Sequence, residues 1–187
     1  MRTRLWLLGL GLTLAALLLV SGQTQAQPSK PHLSCTWQVQ RDFCTNIYAA
    51  HQRLKENYFT KWWSDWADEH EVLVEESTSW GALPYRNTVL ADSHATGNVR
   101  DSILLLHEIS HLADDYGLPQ GVTCSRDPWA HERVYFWTML ASEVLGDREW
   151  AWAFYTQQMG YYYQARFMPY GLTEPCREHG VKEIAPW

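Results

Sequence analysis

The segment 98–115 (NVRDSILLLHEISHLADD) constrains this chain more than any other. Ile103, Leu104, Leu105, Leu106, Ile109 and Leu112 recur at helical spacing, on more than one side of the helix they imply. Such a helix must be covered from several directions, so the rest of the chain has to wrap it. Asn98 is placed to cap it, with Asp101 supporting the first turn, and Gly117 and Pro119 stop it. The same helix carries two imidazoles, His107 and His111, with Glu108 between them.

Positions i and i+4 lie on one helical face, so both imidazoles can reach a single ion. Neutral imidazole nitrogen suits Zn2+, and a catalytic zinc site leaves one position open for water. Glu108 is near enough to take a proton from that water.

A third ligand must come from elsewhere. A second helix is expected from about Pro128 to Leu145, after an Asp127-Pro128 start. Its apolar stripe is Ala130, Val134, Trp137, Ala141, Val144 and Leu145. At ~100° per residue, His131 lies roughly 90° from the centre of that stripe and Glu132 nearly opposite it. His131 is therefore the first choice, with Glu132 second. Asp115 is the third candidate, two turns from His107 on the same face, either as ligand or as an acceptor holding His111. Asp114 reads as an acid near a helix end. Charge built on a substrate oxygen would need a donor; Tyr135 is the first guess, with Tyr161, Tyr162 and Tyr163 as alternatives. His94 can be placed beside a cleft but reads better as a surface residue. His51, His70 and His179 lack partner spacing and read as surface or core. The Trp-rich run Trp62-Trp63-Ser64-Asp65-Trp66 suits sugar or peptide, or packing of an amphipathic helix.

LLHEISHLADD resembles the active-site helix of the zincin metallopeptidases. YRNTVLADS resembles the edge strand that in zincins runs beside the cleft and pairs with an extended peptide. The resemblance implies an α+β, mostly helical zincin-like domain with a small sheet packed on the active-site helix. It also implies His107 and His111 as zinc ligands, Glu108 as general base, and peptide-bond hydrolysis as the reaction. The metzincin pattern fails, because Asp114 and Gly117 stand where that group has a glycine and a further ligand.

The N-terminus points to export. Arg2 and Arg4 precede the apolar run 5–20, and 21–27 is small and polar, which is the plan of a cleaved signal peptide spanning 1–26. The run is short for a membrane span, so no stable anchor is expected after cleavage. Residues 27–187 then form one domain. Losing Arg2 and Arg4 takes 15 basic residues to 13 against 21 acidic ones, a net charge of −8, which excludes a nucleic-acid partner. A secreted or periplasmic location suits four cysteines, for which Cys35–Cys44 and Cys124–Cys176 are the favoured pairs. Among the remaining segments, 42–69 reads as one helix, 71–76 and 85–91 as strands, 78–84 as a turn, and an aromatic helix runs to about Phe167.

The expected function is a zinc-dependent metallopeptidase acting on peptide or protein. The alternatives are a hydrolase of peptidoglycan cross-links, and a zincin-like metal-binding module without turnover.

Overall fold

Val99–Asp115, here α3, lies at the centre of the protein in a computed structural model. The structure describes residues 32–118, 122–125, 128–167 and 176, all within one unit that begins at Pro31. The proposed signal peptide, His179 and the tail beyond Phe167, apart from Cys176, lie outside the described residues.

The remaining elements are β1 (Ser34–Thr36), α1 (Phe43–Glu56), α2 (Lys61–Glu69), β2 (Leu73–Ser77), β3 (Gly81–Leu83), a 3-10 turn at Pro84–Arg86, β4 (Thr88–Asp92), α4 (Pro128–Val144) and α5 (Arg148–Phe167). The fold is α+β: among the described residues, five helices and a small mixed sheet ordered β1-β2-β4-β3, parallel except for β3. The sheet does pack on α3, through β3 and β4, while α1, α2 and α4 cover the other sides. Ile103, Leu105, Leu106, Ile109 and Leu112 are all buried, and the last four join Phe43, Ile47, Leu54, Val74 and Val89 in one core.

The start of α3 follows from two side chains. Asn98 Oδ1 accepts from the Asp101 amide at 3.0 Å, and Asp101 Oδ2 accepts from the Asn98 amide at 3.1 Å. This reciprocal box satisfies donors that the first turn leaves open. Past Tyr116, Gly117 takes φ +81°, a left-handed conformation that ends the helix.

Three expectations need correction. Residues 42–69 form two helices, because Asn57 breaks the run: its Oδ1 accepts from the amides of Phe59 and Thr60, and Thr60 Oγ1 donates to Leu54 O at 2.7 Å. Local side-chain bonds of this kind compete with helix continuation. The segment expected to be only a turn contains β3, which forms a hairpin with β4 through the 3-10 turn and Asn87 at φ +51°. Consequently 88–92 is not an edge strand. It pairs with β2 on one side and β3 on the other, and the edge on its side of the sheet is Gly81–Leu83.

Both disulfides form with the favoured pairing, Cys35–Cys44 and Cys124–Cys176. Two disulfides suit an oxidising, extracellular environment. Among the described residues, no helix is long and apolar enough to cross a membrane.

Candidate metal centre

His107, His111 and His131 converge where α3 meets the first turns of α4, each offering a ring nitrogen within 4.8 Å of the others. His107 and His111 are buried and His131 is half-buried. The two α3 rings meet edge to face, and His131 packs against both, with centroids 5.9 Å from His107 and 4.9 Å from His111. His107 Nε2 and His111 Nε2 stand 3.2 Å apart. Two nitrogens bound tetrahedrally at the Zn–N distance would be about 3.3–3.4 Å apart. The spacing therefore fits two ligands of one tetrahedral ion.

The hydrogen bonds also settle the tautomer of His107. Thr138 Oγ1 donates its one proton to Val134 O at 2.7 Å. Its 2.9 Å contact with His107 Nδ1 therefore has Nδ1–H donating and the hydroxyl accepting. Nε2 is left with its lone pair, directed toward the cluster. Burial, and next the neighbouring His131, lower the pKa of His107 to about 3, so the ring is held neutral. A neutral imidazole with its far nitrogen anchored to a protein acceptor is the form in which histidine ligates a metal. Three imidazoles with one tautomer fixed suit a divalent transition ion such as zinc; the donor set alone does not name the ion.

Glu108 is buried beside this cluster, and its charge is felt by Tyr135. The Tyr135 ring lies 5.1 Å from His107 and 4.7 Å from His131, and it stacks on Tyr161 at 5.2 Å. Burial first, then Tyr161 and Glu108, push the Tyr135 phenol up to about 12, so it keeps its proton. Tyr161 packs on His131 at 4.6 Å, and Phe154 approaches both His107 and Tyr135. α5 thus lays an aromatic cover along one side of the histidines. The side chains of Tyr162 and Tyr163 lie outside the described residues.

The other ligand candidates are engaged elsewhere. Asp115 Oδ1 accepts from the amides of Cys124 and Ser125 at 2.8 and 2.7 Å, and its Oδ2 accepts from Ser125 Oγ at 2.6 Å. It anchors the loop that carries the Cys124–Cys176 bridge instead of facing the histidines. Glu132 accepts from Gln158 Nε2 on α5 at 3.2 Å, and burial raises its pKa. Asp114, raised by burial, pairs with Arg133 at 2.6 Å.

Among the described residues, three further histidines stand apart from this cluster. His51 is buried against Ser64 Oγ at 2.8 Å, and His70 stacks on Trp66. His94 is exposed and contacts Asp92. Sequence reasoning missed Thr138 and Phe154. Thr138 was within reach, since it lies seven residues after His131 and so on the same face of α4. Phe154 follows only from the docking of α5.

In comparisons with known proteins, no family model, no curated protein and no solved structure matches this chain.

Proposed function

We propose that this protein is an exported zinc-dependent metallopeptidase of the zincin type, cleaving peptide bonds in peptide or protein substrates. The observation that carries the reading is the convergence of three imidazole nitrogens from α3 and α4 beside the buried Glu108. Three protein ligands converge among the described residues, which suits a site with a position open to reactants.

A zinc ion held there supplies Lewis acidity, lowering the pKa of a water to about 7 and polarising a carbonyl. His107, anchored through Thr138, His111 and His131 would hold it. Glu108 takes the proton of the attacking water and passes it to the leaving amine nitrogen. Tyr135, whose phenol stays protonated and whose ring lies against His107 and His131, donates a hydrogen bond to the oxygen on which charge develops. Phe154 and Tyr161 exclude water from that side, which strengthens each of these interactions.

The test compares wild type with Glu108→Gln for zinc content and for hydrolysis of casein and short peptides. One zinc per chain in both proteins, with cleavage only in wild type, supports the reading. If both bind zinc and neither cleaves, the protein is a metal-binding module. Cleavage of peptidoglycan cross-links but not of casein or short peptides would move the substrate to the cell wall.

A further inference from the structure

Asp114 and Asp115 close the last turn of α3, which holds no basic residue. The carbonyl end of a helix repels acids, so neither is placed to support the helix itself. Each instead holds the chain on one side of His131. Asp115 accepts from the amides of Cys124 and Ser125, in the loop before α4. Asp114 pairs with Arg133 on α4, its Oδ1 lying 2.6 Å from Nη2. Of the two side chains only 18% and 15% is exposed, and Phe59, Trp63 and Trp137 line the same cavity as the pair. Both charges have to leave water there, so the pair adds little stability over apolar residues of the same volume. What it adds is direction, because one guanidinium has to meet one carboxylate.

That direction bears on the metal ligands. Asp114 is seven residues beyond His107, two helical turns, so both face the same side of α3. His107 meets Thr138 and Asp114 meets Arg133, so the later residue of α3 meets the earlier one of α4. Two such contacts fix how far α4 can slide along α3. They also fix its roll. At ~100° per residue, Arg133 stands roughly 160° around α4 from His131. The arc between them carries Val134, Thr138 and Ala141, all buried. α4 is thus held on both flanks of its buried face, by Asp114 on one and by the histidine cluster on the other. A roll of one residue, ~100°, would take His131 from the cluster and bring Glu132 or Ala130 into its place.

We propose that the Asp114–Arg133 pair is a positioning device for the metal centre: it sets the register and roll of α4 on α3 and so presents His131 as the third ligand. The proposal rests on the three-histidine centre and not on peptide hydrolysis, and it makes neither residue of the pair a ligand.

The experiment loads the metal-free protein with cobalt(II), whose visible bands report the number and arrangement of its ligands. Zinc affinity is read in parallel by competition with a chelating dye. His131→Ala supplies the spectrum of a centre without its third ligand. Two variants remove the pair: Asp114→Asn, and Asp114→Leu combined with Arg133→Met. The second replaces both charges by apolar groups, a change that often leaves stability equal or higher. Both are expected to move the cobalt bands toward those of His131→Ala and to lower zinc affinity by about 10–100-fold. Asp114→Glu, which keeps the charge, should restore most of the wild-type spectrum. Arg86→Gln, which breaks a solvent-exposed pair with Glu75, should change neither reading. Wild-type bands and wild-type zinc affinity in both pair variants overturn the proposal. So does a change confined to the urea midpoint, which would make the pair a structural contact only. If wild type takes up neither cobalt nor zinc, the metal centre itself fails and the proposal falls with it.

Discussion

Thr138 shows how much a single hydroxyl can decide. Its proton is committed to Val134 O, so it can only accept from His107, and the His107 lone pair is thereby directed to the cluster. Thr138→Val keeps the shape and removes the acceptor. It is expected to lower metal affinity by about 10–100-fold, measured by competition with a chelating dye; unchanged affinity would show that the hydroxyl does not orient the ring. The neighbouring pair His131 and Glu132 gives a sharper contrast. His131→Ala should lose most of the metal affinity, whereas Glu132→Gln, which alters a contact to Gln158, should keep it. The reverse order would exchange their roles. At this scale much of the site was legible. The i, i+4 spacing of His107 and His111 needs only helical geometry, and the angular position of His131 favours it over Glu132. Asp115 was illegible because its partners, the amides of Cys124 and Ser125, come from a loop whose path no periodicity encodes.

At the scale of elements, α3 was readable from both ends. Its apolar residues mark the body, Asn98 with Asp101 marks the start, and Gly117 the stop. The break between α1 and α2 was not, because the helical pattern runs on through Asn57 and only the bonds from its side chain reveal the turn. β3 escaped for a related reason: a three-residue strand that begins at Gly81 and is followed by Pro84 looks like punctuation until β4 pairs with it. The loop that feeds α3 is docked on α1. Asn46 Nδ2 donates to Ala95 O at 2.8 Å, and Arg53 donates to Gly97 O at 2.7 Å. Gly97 has φ +72°, and a Cβ there would lie 2.8 Å from Asn46 O. Gly97→Ala therefore meets both backbone strain and a backbone clash. It should destabilise the fold by about 1–3 kcal/mol in urea unfolding. A loss below ~0.5 kcal/mol would mean that the loop moves away from α1 at little cost.

For the whole molecule, the two disulfides close loops of very different length around one core, and the longer bridge, Cys124–Cys176, ties the C-terminal region to the loop that Asp115 holds. Acid should act on this assembly in a predictable direction. Burial lowers the pKa of His51, outweighing the Asp68 carboxylate that raises it. Burial and His131 lower His107 further, to about 3. Asp68 is pushed up by burial, yet Lys55 and the Leu33 amide hold it below the usual carboxylate range. A depressed folded pKa gives stability that is complete above the unfolded pKa and is lost as pH falls toward the folded one. For the two histidines the loss begins near pH 6.5, the ordinary imidazole value, and for Asp68 only below about 4. Between pH 7 and 5 the metal-free chain should therefore lose stability as the unfolded state takes up protons that the buried rings refuse. Each histidine contributes a slope of at most about 1.4 kcal/mol per pH unit. His51→Gln removes one titrating ring while keeping a polar partner for Ser64, so its stability should fall less steeply than wild type over this interval. Urea unfolding of the metal-free proteins at several pH values measures both slopes. Identical slopes would mean that His51 takes up its proton in the folded protein as readily as in the unfolded chain, and its burial against Ser64 and Asp68 would then not be holding it neutral.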